Sequence, residues 1–351
     1  MELGEPRPER WRRDAETWGR SRDIYAALDL GTNNCRLLVA RPTSSGFRVI
    51  DAFSRIVRLG EGLSQSGRLS PAAMRRTIDA LKVCAGKMRR RGVTRARSVA
   101  TEACRKAANC AEFIAAVEAE TGISLDIVTS AEEARLAVAG CASLLDYDNR
   151  YALVFDIGGG STELMWLQLN RGQAPVVADW ISLPVGVVTL AEHWGGIDIG
   201  DGIYERMVAS VHALLAPFEA EHGLAQVMAE GGVQMMGTSG TVTTVAGVHL
   251  DLPRYDRNRV DGVWMDFADV TSVSRRLAAM PYDDRAAHAC IGRDRADLVV
   301  AGCAILEAIS STWPVGRLRV ADRGVREGVL LGLMQEYGDA GGALSPALAA
   351  D

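Results

Sequence analysis

Long apolar runs are missing from this 351-residue chain, and none reaches the roughly 18 residues that a membrane-spanning helix needs. Its opening stretch, MELGEPRPERWRRDAETWGR, is charged and lacks the apolar core of a signal peptide, so a cytoplasmic protein is expected. Metal-type spacings are missing too. The seven cysteines are odd in number with no CxxC pair, and the five histidines form no HExxH. Most of those cysteines fall in apolar patterns, where they read as reduced packing thiols rather than a disulfide framework or zinc site. Positive charge is in short supply: 39 Lys and Arg against 44 Asp and Glu leave a net charge of −5. The tryptophans show no sustained basic-aromatic interleaving of the kind a nucleic-acid surface carries. The balance argues against nucleic-acid binding by the surface as a whole and leaves room for a local basic lining around a polyanion.

What is present suits two α/β domains, each with its own core. Residues 1–22 read as a flexible charged extension and 338–351 as a small-residue tail. Between them, IYAALDL and CRLLVAR flank a tight GTNN turn and read as a strand hairpin, with FRVIDAFSRIVRL as further strand. Ser70-Pro71 opens a helix that runs to about Arg91 and stops at Gly92. RSVAT is a short strand, RKAANCAEFIAAVEAET a helix, SLDIVT a strand and SAEEARLAVAGCASLL a helix. The pattern then restarts at YALVFDIGGGSTELMWLQL. Setting Asp29 against Asp156, 127 residues on, matches strand, Asp, Gly turn and return strand in order. That period is too long for a solenoid and suits duplicated domains. Domain I spans 23–148 and domain II 149–337; the last helix could pack back on domain I.

Both turns have the chemistry of phosphate binding. Gly31, Gly158, Gly159 and Gly160 let phosphate approach the backbone, and Thr32, Asn33, Asn34, Ser161 and Thr162 add side-chain donors. Asp29 and Asp156, each ending a strand, could hold a hydrated Mg²⁺, which takes only one or two carboxylates. The bland alternative is a pair of ordinary glycine hairpins. A third glycine turn, MMGTSGTVTTVAG, places Gly237, Ser239, Gly240 and Thr241 at a helix N-terminus, a ready anion site or a plain strand-to-helix turn.

DLGTNNCRLLV, ATEACRKAAN, SAEEARLAVAG, FDIGGGSTEL, LPVGVVTL, GTSGTVTT, RADLVVAGCAILEAI and ADRGVREGVLLG occur in this order. Together they resemble the exopolyphosphatase / guanosine pentaphosphate phosphohydrolase (Ppx/GppA) family of the actin-like ATPase-domain superfamily, from about Ile24 to Gly332. The resemblance implies two actin-like (ribonuclease H-like) α/β lobes with the site in the cleft between them. It also implies a Mg²⁺-dependent hydrolase that takes terminal phosphate from polyphosphate or from the 5′ end of pppGpp, and a homodimer. It carries the water-activating base onto Glu133, a further site carboxylate and metal ligand onto Glu163, and a phosphate ligand onto Arg105. GTNN stands where the family often has GSNS, which replaces a hydroxyl by the Asn34 amide. The chain is similar to the short, two-domain form.

The residues leave some roles open. Ser130-x-x-Glu133 is also a capping box, and a carboxylate folded back onto its own helix cannot reach the cleft. Arg36 aligns with Glu163, so one loop presents a cation to phosphate and the other a carboxylate, unless Arg36 is merely surface. Arg89–Arg91 suit a helix C-terminus; Arg55 and Arg58 could line the cleft, and Arg323 and Arg326 are weaker phosphate ligands. Exopolyphosphatase is the leading expectation. The pppGpp 5′-phosphohydrolase is the close alternative, an actin-fold phosphotransferase resembling sugar or acetate kinases a further one, and a nucleotide-switch filament protein the last. Lobes standing open in the absence of substrate are expected.

Overall fold

In the computed structural model, residues 23–44 and 46–338 are described; the expected extension at 1–22 and the tail beyond Gly338 lie outside them. Alternating apolar strands bounded by glycine turns build two mixed sheets. The first holds β1 (Tyr25–Leu30), β2 (Asn34–Thr43), β3 (Gly46–Ile56), β4 (Arg95–Ala100) and β5 (Asp126–Ile127), in the order β3-β2-β1-β4-β5. The second holds β6 (Tyr151–Ile157), β7 (Thr162–Gln168), β8 (Val176–Leu183), β9 (Val233–Thr238), β10 (Trp264–Asp266) and β11 (Arg317–Ala321), in the order β10-β11-β9-β6-β7-β8. Five strands of each sheet correspond: an antiparallel meander, then two parallel neighbours.

The match extends to single hydrogen bonds. Asp29 lies opposite Arg36 and Asp156 opposite Glu163. Gly31 N–H donates to the Asn34 carbonyl at 2.9 Å, and Gly158 N–H to the Ser161 carbonyl at 2.9 Å. The paired turns are one design used twice, and two α/β lobes result.

Helix α1 (Pro71–Arg91) starts as expected: the Ser70 hydroxyl accepts from Ala73 N–H at 3.1 Å, and Gly92 ends the helix at φ +65°. The single helix expected over RKAANCAEFIAAVEAET is instead broken into α2 (Glu102–Lys106) and α3 (Cys110–Thr121). Asn109 causes the break, because its amide pairs with both Leu69 N–H (2.8 Å) and the Leu69 carbonyl (3.0 Å). The strand expected at SLDIVT shrinks to Asp126–Ile127, an edge pairing with Val99–Ala100. Five more helices matter for the site: α4 (Ser130–Cys141), α5 (Val187–Trp194), α6 (Gly240–His249), α7 (Val299–Thr312) and α8 (Val325–Gly338).

Each sheet packs an outer face on its own helices, and a third core joins the lobes. That joint core draws Ala27 from β1, Val154 from β6, Val138 from α4 and Leu330 from α8. Burying a side chain of Val or Leu size stabilises by about 1.5–3 kcal/mol, so the joint core ties the lobes strongly at this end. α4 and α8 touch backbone to backbone: a Cβ at Gly140 would overlap the Gly324 carbonyl, and one at Gly328 the Leu136 carbonyl. Among the described residues no helix is long and apolar enough to cross a membrane.

Candidate active site

The cleft opposite this joint core contains a cavity of about 120 Å³, on the order of ten water molecules. The two phosphate turns meet at its floor. A Cβ at Gly159 would come within 3.0 Å of Asn33 N, and one at Gly160 within 2.8 Å of Thr32 Oγ1. Glycine is required there because the turns themselves are in contact. Gly31 and Gly158 spend their N–H groups inside the turns, whereas the N–H groups of Thr32, Asn33, Gly159 and Gly160 have no acceptor among the described residues. Those four are free to receive phosphate oxygens.

The third glycine turn supplies another wall. Ser239 caps α6 in a left-handed conformation, φ +104°, a strained state for serine that the site holds in place. Arg36 and Arg295 converge on Gly240, 3.6 and 4.0 Å from where a Cβ would stand. Arg295 also reaches the Thr244 hydroxyl at 3.4 Å. Two cations and a helix N-terminus thus face the cavity.

Glu133 comes from α4, and the cap that would have occupied it lies one residue earlier than expected. Thr129, with extended backbone, is the N-cap, and its hydroxyl accepts from Glu132 N–H at 3.1 Å. Ser130 is already helical, so Glu133 does not close the expected capping box. It turns into the cleft, where Arg105 Nη1 donates to its Oε2 at 2.8 Å. Three more of the five Arg105 N–H donors go to Glu102 Oε2 (3.1 and 2.9 Å) and to the Val128 carbonyl.

Carboxylates crowd this site: Asp29, Glu133 and Asp156 line the cavity, and Glu163 lies just behind it. Burial first, and the nearby Glu163 charge second, push Glu133 well above the ordinary carboxylate range, with Arg105 opposing. Asp156 is pushed up to about 7 by burial and then by Glu163. Asp29 is raised by burial, against the pull of Arg36 and Arg326. Glu163 is also raised by burial, while the hydroxyls of Ser161 (2.7 Å) and Ser182 (2.9 Å) partly stabilise its charge. A site that raises several carboxyl groups together calls for compensating positive charge. Among the described residues no three His, Cys, Asp or Glu gather as a metal cluster. The donors nevertheless fit a hard cation that keeps most of its waters. All are oxygens, and the buried Oδ1 atoms of Asn33 and Asn34 have no partner among the described residues.

Of the residues singled out from sequence, Asp29, Gly31, Thr32, Asn33, Asn34, Arg36, Glu133, Asp156, Gly158, Gly159, Gly160, Ser161, Ser239, Gly240 and Thr241 all line the cavity. Four lie behind it. Thr162 spends its hydroxyl on the Val185 carbonyl at 2.7 Å, and Glu163 is buried under Ser161. Gly237 is a packing glycine within β9, where a Cβ would strike the Phe155 ring. Arg105, expected on phosphate, is occupied by Glu102 and Glu133. Arg323 is held elsewhere by Asp261 and Ser143. Arg326 does not line the cavity, but its charge acts on both Asp29 and Asp156. Arg295 and Glu102 both line the cavity and were not among the expected site residues.

The duplicated fold and its loop-lined cleft define the class. Residues 38–337 match the Ppx/GppA phosphatase family, and the chain belongs to that family. It is an enzyme of the phosphoanhydride hydrolase class. It is 30% identical over 321 residues to exopolyphosphatase 2 of Mycobacterium tuberculosis, covering 88% of this chain and 98% of that protein. It is 28% identical over 312 residues to guanosine-5'-triphosphate,3'-diphosphate pyrophosphatase of Aeromonas hydrophila, covering 89% of this chain and 59% of that longer protein. Among solved structures, the Ppx/GppA family member of Aquifex aeolicus superposes with a TM-score of 0.72 at 28% identity, over 90% of this chain and 98% of that one. An exopolyphosphatase-like protein superposes at 0.82 with 26% identity, over 90% and 98%.

Proposed function

We propose that this protein is a Mg²⁺-dependent exopolyphosphatase that releases terminal orthophosphate from inorganic polyphosphate. The observation that carries the reading is Glu133: a largely buried carboxylate aimed into a cavity floored by two touching glycine turns, with one oxygen fixed by Arg105 and the other without a partner among the described residues. The terminal phosphoryl group rests on the unpaired N–H groups of Thr32, Asn33, Gly159 and Gly160. Arg36 and Arg295 neutralise the charge on the leaving chain. Glu133 Oε1 takes a proton from the attacking water as the water oxygen bonds to phosphorus. The anhydride bond breaks, and its electron pair leaves with the shortened chain. Asp29 and Asp156, with Glu163 behind them, would hold Mg²⁺. When bound, the ion neutralises phosphate oxygens and stabilises the charge that builds on them.

A second reading, pppGpp 5′-phosphohydrolase, is favoured by the similarity to the Aeromonas enzyme. Cytoplasmic residence and a homodimer complete the proposal, and light scattering on the purified chain checks the dimer. The deciding experiment compares phosphate release from long polyphosphate, tripolyphosphate, pppGpp and ATP, with Mg²⁺ and with chelator. Polyphosphate is expected to be the best substrate, with release abolished by chelator. Release from neither polyphosphate nor pppGpp refutes the hydrolase reading, and ATP turnover that requires an acceptor would favour a phosphotransferase.

A further inference from the structure

The lobes are joined a second time, at the opposite end of the cleft from their shared core. Arg58, in the loop after β3, makes a bidentate pair with Asp297: Nη1 to Oδ2 at 2.8 Å and Nη2 to Oδ1 at 2.9 Å. Nη2 also donates to the Asp294 carbonyl at 3.2 Å. Beside it, Glu192 of α5 accepts from Gly62 N–H at 2.8 Å and from the Ser64 hydroxyl at 2.5 Å. All of these bonds cross from the first lobe to the second, so the lobes stand closed rather than open.

Both ends of this catch are wired to the site. Asn33 of the first phosphate turn accepts from Val57 N–H and Arg58 N–H through its carbonyl, and Thr32 accepts from Gly60 N–H. The segment that carries Arg58 therefore moves with the first turn. On the other side, Val187 and Val188 N–H groups at the start of α5 donate to the carbonyls of Gly158 and Gly159, so Glu192 moves with the second turn. Asp297 lies two residues from Arg295, one of the cavity's two cations. Arg58 itself adopts φ +48°, a conformation that costs a non-glycine residue free energy and that the three bonds of its guanidinium offset.

We infer that Arg58 and Asp297 are positioning residues that hold the lobes closed and so bring the two phosphate turns and Arg295 to their working separation. They touch no substrate. Substrate enters when the pair opens, and apparent affinity falls by the fraction of molecules that fail to reclose. The inference rests on the hydrolase reading only for its kinetic part. The Arg58 and Asp297 side chains are 32% and 20% exposed, so the pair is of the partly screened kind, and its loss is expected to cost about fivefold.

The test uses the full chain with spin labels on Glu118→Cys in α3 and Arg276→Cys in the second lobe. Both positions are exposed, and all seven native cysteines are buried. Without substrate, R58M and D297N are each expected to lengthen or broaden the interlobe distance, and the charge swap R58D/D297R to restore it. In turnover of tripolyphosphate, each single variant is expected to raise KM about fivefold with kcat changed less than about twofold, and the swap to recover KM. Should a variant fail to fold, raising NaCl to about 1 M on the labelled wild type, where screening acts over about 3 Å, is expected to lengthen the same distance. Unchanged distances in both single variants, or a swap no better than either, overturn the inference. Absence of turnover in the wild type overturns the hydrolase reading alone, because the distances need no reaction.

Discussion

Arg105 is the residue on which the expectation from sequence and the geometry diverge, and replacing it by methionine separates the two roles. Its guanidinium is 2.8 Å from Glu133 and also grips Glu102. Burial and Glu163 raise the Glu133 carboxyl, and Arg105 is the principal opposing influence. An opposite charge at this range lowers a carboxyl pKa, so the loss of Arg105 sends Glu133 further up. The base works only when ionised. Activity is therefore present above the folded-state pKa and lost as pH falls through it, and in R105M that loss begins at higher pH. At neutral pH, kcat/KM is expected to fall, by up to about 100-fold, and to recover as pH is raised. The assay is phosphate release from tripolyphosphate between about pH 6 and 9.5, with the acid limb of kcat/KM as the readout. A loss uniform across that range, with the limb unmoved, would refute this reasoning and return Arg105 to the role of a direct phosphate ligand.

Glu133→Gln removes the proton acceptor while keeping the shape, and kcat is expected to drop by about 10²–10⁴-fold with KM little changed; steady-state kinetics decide. Gly328→Ala forces α8 away from the Leu136 carbonyl and is expected to cost about 1–3 kcal/mol, read as a lower urea midpoint. Asp51, held down to about 2 by Lys87 and then Arg91, contributes stability that is present above its unfolded pKa and is lost as pH falls through about 2. Asp51→Asn should therefore unfold more easily than wild type at pH 7, by no more than about 1 kcal/mol for a pair open to solvent. The gap should close in melts taken from pH 4 down to 2.

The features that could be read from the chain are those fixed by neighbours along it. A turn of fixed length between two strands sets cross-strand register, so Asp29–Arg36 and Asp156–Glu163 follow once the two segments are aligned. Ser70-Pro71 and Gly92 bound a helix by local chemistry alone. What the chain hides is decided by partners distant in sequence. Thr129 and Ser130 are both good caps, and the extended backbone at Thr129 selects it, which frees Glu133 for the cleft. Asn109 breaks a helix for the sake of Leu69, 40 residues away. Arg295 carries no local signal, because only the tertiary approach to Gly240 makes it a site residue.

The same distinction explains why the two halves of the site differ in kind. The phosphate turns are local objects, and duplication copied them with their hydrogen bonds intact. Glu133 stands on a different kind of support: α4 follows the strands of the first lobe and packs on β7 and β8 of the second, while α8 makes the reverse crossing onto β1 and β2. Binding and chemistry thus rest on separate supports. The turns touch each other through Thr32, Asn33, Gly159 and Gly160, while Glu133 is aimed by Arg105 from the first lobe and carried by a helix wedged at the joint core. A change in lobe separation would spread the turns, which stand one on each lobe, while Glu133 stays tied to Arg105 of the first lobe. Loosening the Arg58–Asp297 catch should then weaken binding before it slows the chemical step, which is the division between KM and kcat that the Arg58 variants measure.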